Sequence, residues 1–571
     1  MSPPDISSSL WLPFLGVVAF GLAYLLLFAS LAQVGQGPPP PGRRPFFVFV
    51  VPCLNEELVI GRCLDKLLAM PSTDFAILVI DDGSDDATSA VVAGYDAARV
   101  WLLRRSPPHA RQGKGAALNA AYRHLWNSGL LQDVDPDDVV VAVVDADGRL
   151  QPDALETVAP YFQQPRVGAV QVGVRMYNVH ESLLARMQDI EFVVFTEIYQ
   201  RARRHLGTVG LGGNGQFVRL AALRSLQDSP WTDCLTEDLD LGIRLRLHGW
   251  TSEYTGRTWV EQQAVTSLPR LIRQRARWFQ GHLQCSRRIP VILRAGLPLH
   301  TTLDLCWHLL GPVTILLMSL WSALFMASLA YLWVSDPAGS WHTITTQTWI
   351  VPGFYVLSIA PAALYGLVYR RQTQSMPRRR VAVLAHLFII YGYLWFLAGW
   401  RAIWQAGTGH RGWAKTSRTA ERRPAEAVAL AVPELNWQLA VPPNWEVVEA
   451  SLDRVAYQDP KGRALVHVDR VVEHGSGSLL GGPMGDEVAY WGYGYRRLGL
   501  RMVDFKGRPA ALWEFLYRSE GVQGVRIHAR ELHVMVGEIR YVLSVRSPEA
   551  TWGRRSAMLK RIQESFQVAG E

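Results

Sequence analysis

Three uninterrupted apolar runs alternate with helical patterns in the first quarter of the chain. They are FFVFVV at 46–51, AILVI at 76–80 and VVVAVV at 139–144. Continuous apolar runs separated by helices are typical of parallel strands buried on both faces. Ligands of such open sheets bind beyond the carboxyl ends of the strands. The pattern therefore predicts an α/β domain with a mostly parallel sheet, over residues 46–265, and a site at that edge.

Acidic side chains follow each of these runs. Glu56 lies in PCLNEE, Asp82 in DDGS, and Asp145 and Asp147 in DADG. Each motif alone is also typical of an ordinary turn, but carboxylates gathered at one sheet edge repel one another unless a cation or a ligand offsets them. Two carboxylates one residue apart can hold Mg or Mn with positions left for phosphate oxygens. We expect Asp147 to bind the metal and Asp145 to contact the nucleotide, or the ion through water.

Three further segments carry candidate residues. Lys114 lies in RQGKGAALN, which lacks the full phosphate-loop pattern, yet its ammonium could lie near a phosphate or the donor sugar. The segment GLGGNGQF, with Gly213 and Asn214, suits close approach of backbone to a flat ligand, or is an ordinary loop. Glu237 and Asp238 open a predicted helix. They are either acids at a capped helix start or, for Asp238, a general base.

A basic segment without acidic residues covers 266–296. It predicts an amphipathic helix at a lipid interface, which accounts for most of its arginines: Arg270, Arg273, Arg275, Arg277, Arg287, Arg288 and Arg294. Gln274, Arg277 and Trp278 fit that interpretation less well. Such residues are better suited to pairing with a diphosphate and stacking on a sugar or a base.

Apolar stretches flank the predicted α/β domain. Residues 9–34 contain no charge, and 305–400 contains three more stretches, so we expect one and three membrane-spanning helices. Arg43 and Arg44 after the first stretch place the α/β domain in the cytoplasm. Counting spans then places the tail outside, although residues 401–432 are basic, with Arg401, Arg411, Lys415, Arg418, Arg422 and Arg423. Either the stretch 381–400 is re-entrant or the tail is exported, and the span count favours export.

Composition narrows the class of protein. The chain has 571 residues, of which 49% are hydrophobic and 19% charged, which indicates a membrane protein with more than one domain. Its five cysteines show no metal or disulfide spacing. The net charge of +8 comes from arginines next to apolar stretches, so nucleic acid is not an expected partner. Residues 401–432 read as a basic linker, and 433–571 as an α+β accessory domain that resembles PsbP-like domains.

The ordered set PCLNEE, DDGS, DADG, TED and QRARW resembles the membrane-embedded glycosyltransferases of family 2. These include cellulose, chitin, hyaluronan and poly-N-acetylglucosamine synthases, and the resemblance covers residues from about 10 to 420. It implies a GT-A fold, an inverting mechanism and Mg or Mn as cofactor. By the same resemblance, Asp82 would contact the nucleoside, Asp147 the metal, and Asp238 would act as the base. Glu56, Lys114 and Asp145 are expected at the nucleotide sugar, and the acceptor and diphosphate set is Gly213, Asn214, Glu237, Gln274, Arg277 and Trp278.

These observations predict a multi-pass enzyme of the plasma membrane that extends a β-linked glycan from a nucleotide-diphosphate sugar, with UDP-sugars as the expected donors. Four spans are few for a glycan channel, so a homo-oligomer or an export partner would complete it. One alternative is transfer to a lipid acceptor, because ceramide and diacylglycerol glucosyltransferases resemble the same motifs. An alternative of another class is a non-catalytic scaffold that binds nucleotide sugar.

Overall fold

The computed structural model divides the chain into two units, Met1–Ala420 and Glu421–Glu571. It describes residues 6–568 except for 36, 38, 41, 43, 133, 347–349, 374–375, 409–436, 443–444, 451–453, 460–463, 473–478, 481–482, 484–486, 488–493 and 519–524. Arg43 and most of the predicted basic linker, including every one of its predicted basic residues except Arg401, therefore lie outside the described residues.

An eight-stranded sheet organises the first unit. Its strands are β1 (Phe46–Cys53), β2 (Phe75–Asp81), β3 (Val100–Arg104), β4 (Val139–Val143), β5 (Arg149–Leu150), β6 (Val167–Met176), β7 (Gln216–Arg219) and β8 (Thr251–Gln262). Their order across the sheet is β3-β2-β1-β4-β7-β6-β8-β5. The three apolar runs of the sequence are β1, β2 and β4, which lie side by side as expected for buried neighbouring strands.

The sheet is mixed, which corrects the expectation of a mostly parallel one. Strands β3, β2, β1 and β4 pair in parallel. Beyond β4, strand β7 runs antiparallel to both β4 and β6, and β5 runs antiparallel to β8. The chain leaves the helix Arg201–Leu206, passes through the glycine-rich segment and enters β7 in the direction opposite to both neighbouring strands.

Helices cover both faces of this sheet. They are α2 (Ile60–Leu68), α3 (Thr88–Ala93), α4 (Lys114–Asn127), α5 (Ala154–Val158), α6 (Leu183–Val194), α7 (Arg201–Leu206), α8 (Leu220–Arg224) and α9 (Glu237–Leu247). Alternate residues of β1 enter two separate cores. Phe47 and Phe49 pack with Ile60 of α2, and Val48 and Val50 pack into the core that contains Leu118 of α4. Burial on both faces explains why these strands read as unbroken apolar runs.

The basic segment is broken rather than one helix over 266–296. Helix α10 (Leu268–Cys285) is followed by a 3₁₀ turn at 286–288 and by the short α11 (Ile289–Arg294). Its arginines are not all at an interface either. Arg275 is 1% exposed, and Arg288 Nε lies 2.6 Å from Asp240 Oδ1. Acids from α6 and α9 neutralise these two arginines, and the sequence of the segment alone does not show that.

Six further helices, most of them apolar, belong to the described part of the first unit. They are α1 (Ile6–Leu31), α12 (Leu299–Ser335), α13 (Pro337–Thr346), α14 (Ile350–Thr373), α15 (Arg378–Gly392) and α16 (Leu394–Gly407). Among the described residues, two helical stretches are long and apolar enough to cross a membrane, Leu299–Ser335 and the nearly continuous Arg378–Gly407. The stretch Ala19–Leu31 is a shorter apolar helix. Two such helices suggest membrane association, and the four predicted spans stay a prediction.

The second unit is built on an antiparallel sheet. Its strands and final helix are β9 (Trp437–Gln438), β10 (Glu446–Ala450), β11 (Arg454–Gln458), β12 (Leu465–Val472), β13 (Arg496–Phe505), β14 (Arg508–Arg518), β15 (Arg526–Val536), β16 (Ile539–Pro548), α17 (Glu549–Ser565) and β17 (Gln567–Val568). The order across the sheet is β10-β11-β12-β16-β15-β14-β13, and a separate pair joins β9 to β17. Leu559 of α17 packs with Leu532 and Leu543 of the sheet. The predicted C-terminal sheet domain with a final helix is therefore present.

Candidate active site

A cavity of about 430 Å³ opens at the carboxyl edge of the parallel strands. Eleven of the twelve predicted site residues line it: Glu56, Asp82, Lys114, Asp145, Gly213, Asn214, Glu237, Asp238, Gln274, Arg277 and Trp278. The residues come from strand ends, from the glycine-rich segment, and from α4, α9 and α10. The structure thus brings together motifs that are separated by more than two hundred residues in the chain, from Glu56 to Trp278.

The twelfth predicted residue, Asp147, lies just behind the cavity wall. Its side chain is 2% exposed, and its Oδ2 accepts the backbone N–H of Gln263 at 2.8 Å. Asp145, Ala146 and Gln263 line the cavity around it. Asp147 is therefore next to the cavity, and its role as a metal ligand stays a prediction.

Lys114 links the two acidic groups of the site. As the first residue of α4, it places Nζ 2.6 Å from Asp145 Oδ1 and 3.7 Å from Glu237 Oε1, and it donates to the Gly213 carbonyl at 2.8 Å. Burial acts to lower the pKa of Lys114, but Asp145 and Glu237 raise it, with a net upward shift. The side chain is therefore a positive charge held between Asp145 and Glu237 at the cavity wall.

Glu237 and Asp238, the first two residues of α9, both have a raised pKa. Burial raises the pKa of Glu237 to about 7, although Lys114 acts in the opposite direction. Burial likewise raises the pKa of Asp238, again opposed by Lys114. A carboxylate with a raised pKa is a better proton acceptor than an exposed one. This is the property required of the general base that the sequence assigns to Asp238.

The glycine-rich segment is held in place by amide side chains. Gln171 on β6 accepts the Gly212 N–H at 2.8 Å and donates to the Asn214 carbonyl at 3.0 Å. Asn214 Oδ1 accepts the Asp145 N–H at 3.1 Å. A Cβ at Gly213 would lie 2.9 Å from Lys114 Nζ and 3.3 Å from Asp238 Oδ2. A glycine at this position therefore lets the lysine and the expected base approach the same stretch of backbone.

Sequence reasoning missed several lining or supporting residues. Arg105 Nη1 lies 2.5 Å from Asp82 Oδ1, and it counteracts the rise that burial causes in the Asp82 pKa. Arg105 comes directly after β3, and the lining residues Gln262 and Gln263 lie at the end of β8. Asp82 and Asp145 are found by inspecting the residues at the carboxyl end of each strand. The same inspection would have found Arg105, Gln262 and Gln263 had β3 and β8 been recognised as strands.

Aromatic side chains also line the cavity. It is lined by Phe192 of α6, Phe195, Trp278 of α10 and Trp395 of α16, with His308 of α12. Burial lowers the pKa of the neighbouring His282 to about 4, so that ring is neutral at physiological pH. The cavity is thus lined both by carboxylates around Lys114 and by aromatic side chains, of which Trp395 belongs to the apolar helix α16.

The carboxylates of the site suit a divalent cation, but the described side chains do not supply a complete set of ligands for one. Among the described residues, no group of three or more His, Cys, Asp and Glu side chains is placed to hold an ion. Mg²⁺ is commonly bound by one or two carboxylates together with substrate phosphates and water. Asp145 and Asp147 provide hard oxygen donors of that kind, so the residues present fit such an ion.

The comparisons with known proteins agree with this arrangement. A model of the family "Glycosyltransferase like family 2" matches residues 43–281, which contain every predicted site residue. Residues 43–281 are a glycosyltransferase family 2 domain. The match indicates a GT-A-like fold. The matched residues include the eight-stranded sheet and most of α10.

Curated relatives align with this glycosyltransferase domain. A "Beta-monoglucosyldiacylglycerol synthase" of Trichormus variabilis is 37% identical over 251 residues, which are 43% of this chain and 50% of the relative. A "Poly-beta-1,6-N-acetyl-D-glucosamine synthase" of Staphylococcus epidermidis is 25% identical over 236 residues, 41% of this chain and 53% of the relative. The chain thus spans about half the length of these curated relatives.

Two other similarities complete the comparison. A solved mannosyltransferase of Pyrobaculum calidifontis, in complex with GDP-Man and Mn²⁺, is 17% identical, with a TM-score of 0.45 over 70% of this chain and 98% of its own. A model named "Serine/threonine kinase C-terminal domain" matches residues 431–568. The resemblance of this second unit to PsbP-like domains stays a prediction.

Proposed function

We propose that the chain transfers a hexosyl group from a nucleotide-diphosphate sugar to a lipid acceptor at the plasma membrane. The observation that carries the proposal is the cavity, which is lined by a cluster of carboxylates around Lys114 and by the aromatic side chains Phe192, Phe195, Trp278 and Trp395. A polar donor and an apolar acceptor require both kinds of lining in one site. The relatives named as glucosyldiacylglycerol synthases favour the lipid acceptor over a growing glycan.

The proposed reaction follows from the side chains around Gly213. Asp238 takes the proton of the acceptor hydroxyl, since burial raises its pKa and its Oδ2 faces this segment. The acceptor oxygen then attacks the anomeric carbon from the face opposite the diphosphate, which inverts the configuration. Arg277, which lines the cavity, pairs with the leaving diphosphate.

Three elements of the site prepare this reaction. Glu56, Asp82 and Asp145 orient the nucleoside and its sugar, and Lys114 holds a positive charge near the phosphates. Mg or Mn bound by Asp147 and Asp145 would supply further charge neutralisation at the diphosphate. We also propose that α12 and α15–α16 anchor the enzyme in the bilayer, with the glycosyltransferase domain on the cytoplasmic side.

The test is transfer by purified full-length protein in liposomes that contain diacylglycerol or ceramide. The donors are a panel of uridine and guanosine diphosphate sugars, each with Mg or Mn. A radiolabelled product extracted into chloroform supports the proposal. An ethanol-insoluble product instead indicates a glycan acceptor, as in the relative named poly-N-acetylglucosamine synthase. Donor binding without turnover under every condition would contradict both and indicate a scaffold.

A further inference from the structure

Glu191, a residue outside the predicted site, lines the cavity and accepts three hydrogen bonds. Its Oε2 receives Arg275 Nη2 at 2.6 Å and the Tyr391 hydroxyl at 2.6 Å, and its Oε1 receives Trp395 Nε1 at 3.0 Å. These donors come from α10, α15 and α16. One carboxylate on α6 therefore ties the glycosyltransferase domain to two apolar helices at the wall of the site.

Arg275 passes this constraint to two predicted acceptor-side residues. It is 1% exposed, and its Nη1 donates to Gln274 Oε1 at 3.0 Å. Its guanidinium carbon lies 4.1 Å from the ring centre of Trp278, a cation–π contact. Gln274 and Trp278 both line the cavity. The orientation of each depends on where the Arg275 guanidinium is held.

Phe192, the residue after Glu191, also contacts the indole of Trp278. Phe192 meets Trp278 edge-on, with ring centres 5.9 Å apart and planes at 79°. Arg275 also lies 5.8 Å from the ring centre of Phe192, so the guanidinium, Phe192 and Trp278 form one contact cluster that restricts the indole while it still borders the cavity. Stacking on a sugar or a lipid headgroup requires a ring held in this way, because the ligand contact then costs less ordering of the side chain.

We propose that Glu191 and Arg275 are a positioning pair that holds Gln274 and Trp278 for the acceptor. This inference deepens the proposed function, on which its kinetic predictions rest. Neither residue is a proton acceptor in the reaction. Arg275 needs Glu191 as its counter-charge because a buried guanidinium without one is strongly destabilising. The pair acts on the acceptor side of the cavity and leaves the nucleotide end, around Asp82 and Lys114, unchanged.

The chain offers a matched control for this pair. On the same helix, Asp189 Oδ2 accepts the hydroxyl of Tyr369 from α14 at 2.7 Å. Its Oδ1 accepts the Met176 N–H of β6 at 2.9 Å. Asp189 does not line the described cavity. Tyr391→Phe therefore removes a hydroxyl donor from Glu191, and Tyr369→Phe removes one from Asp189. Both carboxylates lie on α6, but only Glu191 belongs to the positioning pair.

The kinetic test compares these two variants in transfer assays with full-length protein in liposomes. We expect Tyr391→Phe to lower kcat/KM for the acceptor about tenfold, with an unchanged KM for the nucleotide sugar. We expect Tyr369→Phe to match the wild type. Equal effects of the two substitutions on the acceptor, or an effect of Tyr391→Phe on the donor alone, would overturn the proposal.

A second pair of variants separates positioning from mere stability. Glu191→Gln alone leaves Arg275 as an uncompensated buried charge that destabilises the fold, whereas Glu191→Gln with Arg275→Gln removes both charges. We expect the double variant to regain thermal stability and to remain at least about tenfold impaired toward the acceptor, because Trp278 has lost its guanidinium. Recovery of stability together with wild-type acceptor kinetics would show that the pair only stabilises the fold.

Hydrogen exchange of the peptide 271–279 tests the pair without turnover. We expect faster exchange there in Tyr391→Phe and unchanged exchange in Tyr369→Phe, with or without an active acceptor. Equal exchange in both variants contradicts the positioning role. If the wild type transfers sugar to none of the acceptors, the proposed function fails, and this exchange experiment still decides the role of the pair.

Discussion

Two buried glutamates, one in each unit of the chain, have opposite electrostatic environments. Glu237 lies beside the cavity and is 6% exposed, and burial raises its pKa to about 7. Glu531 lies on β15 and is 4% exposed. Burial acts to raise its pKa too, but His533, Arg546 and His467 lower it to about 2. The two carboxylates are similarly buried, so their charged and hydrogen-bonding neighbours decide whether the pKa is raised or lowered.

Among the described residues, Glu531 has more close partners than Glu237, and the lysine beside Glu237 is shared with another carboxylate. Glu531 Oε1 accepts Ser544 Oγ at 2.9 Å and Arg546 Nη2 at 3.1 Å. Glu237 has Lys114 at 3.7 Å, and that lysine is closer to Asp145. A buried carboxylate whose charge is balanced by close donors stabilises a fold. A buried carboxylate whose charge is only partly balanced is typical of a functional site. This difference supports placing function at the cavity and structure at Glu531.

The largest effect is expected at the base next to Glu237. Asp238→Asn removes the proton acceptor without changing the shape of the side chain, so we expect transfer to fall by about 10²–10⁴-fold. Binding of the nucleotide sugar, measured by calorimetry, should remain. Asp233→Asn, an exposed carboxylate five residues earlier, is the control and should be neutral. Normal turnover by Asp238→Asn would show that Asp238 is not the catalytic base.

The next effect concerns the stability of the second unit. Glu531→Gln leaves Arg546 without its buried counter-charge, and breaking such a pair typically costs about 3–5 kcal/mol. We expect the peptides of β15 and β16 in the full-length protein to lose hydrogen-exchange protection by a corresponding amount. Glu538→Gln, at the exposed turn between these strands, should not change it. Unchanged protection in both variants would show that the Glu531 network contributes little.

Much of the site could be predicted because its residues follow strands that are apolar throughout. β1, β2 and β4 are recognisable in the sequence, and Glu56, Asp82 and Asp145 come directly after them. The antiparallel half of the sheet was not predicted. β7 carries Gln216 and Arg219 among few apolar residues, and its pairing with β4 depends on the long-range course of the glycine-rich segment.

The positioning pair shows a second limit of the sequence. Glu191 sits in the apolar stretch of α6, and its three donors follow between 84 and 204 residues later. No local pattern links residues at such separations. Likewise, the arginines of 266–296 read as one basic surface, whereas Arg275 and Arg288 are paired with acids of other helices. Charge pairing between distant segments becomes visible only in the folded chain.

The pH dependence of Glu531 gives a smaller effect that tests its environment. Its folded-state pKa of about 2 lies below the ordinary value of 4.5. The stabilisation is therefore complete above about pH 4.5 and is lost as pH falls toward 2, by at most about 1.4 kcal/mol per pH unit. We expect the difference in exchange protection between the wild type and Glu531→Gln to shrink over this range. A constant difference would exclude an ionised Glu531 as its source.

The smallest effect, of opposite sign, is expected from the same substitution at Glu237. Its folded-state pKa of about 7 lies above the ordinary 4.5, so its contribution to stability is present below pH 4.5 and is lost as pH rises through 7. Without donor and divalent cation, Glu237→Gln removes a buried charge at pH 8, at the cost of the ion pair with Lys114. We expect α9 to gain about 1 kcal/mol in exchange protection at pH 8 and nothing at pH 5. A loss of protection at pH 8 would mean that Lys114 fully compensates Glu237, and the contrast between the two glutamates would then be wrong.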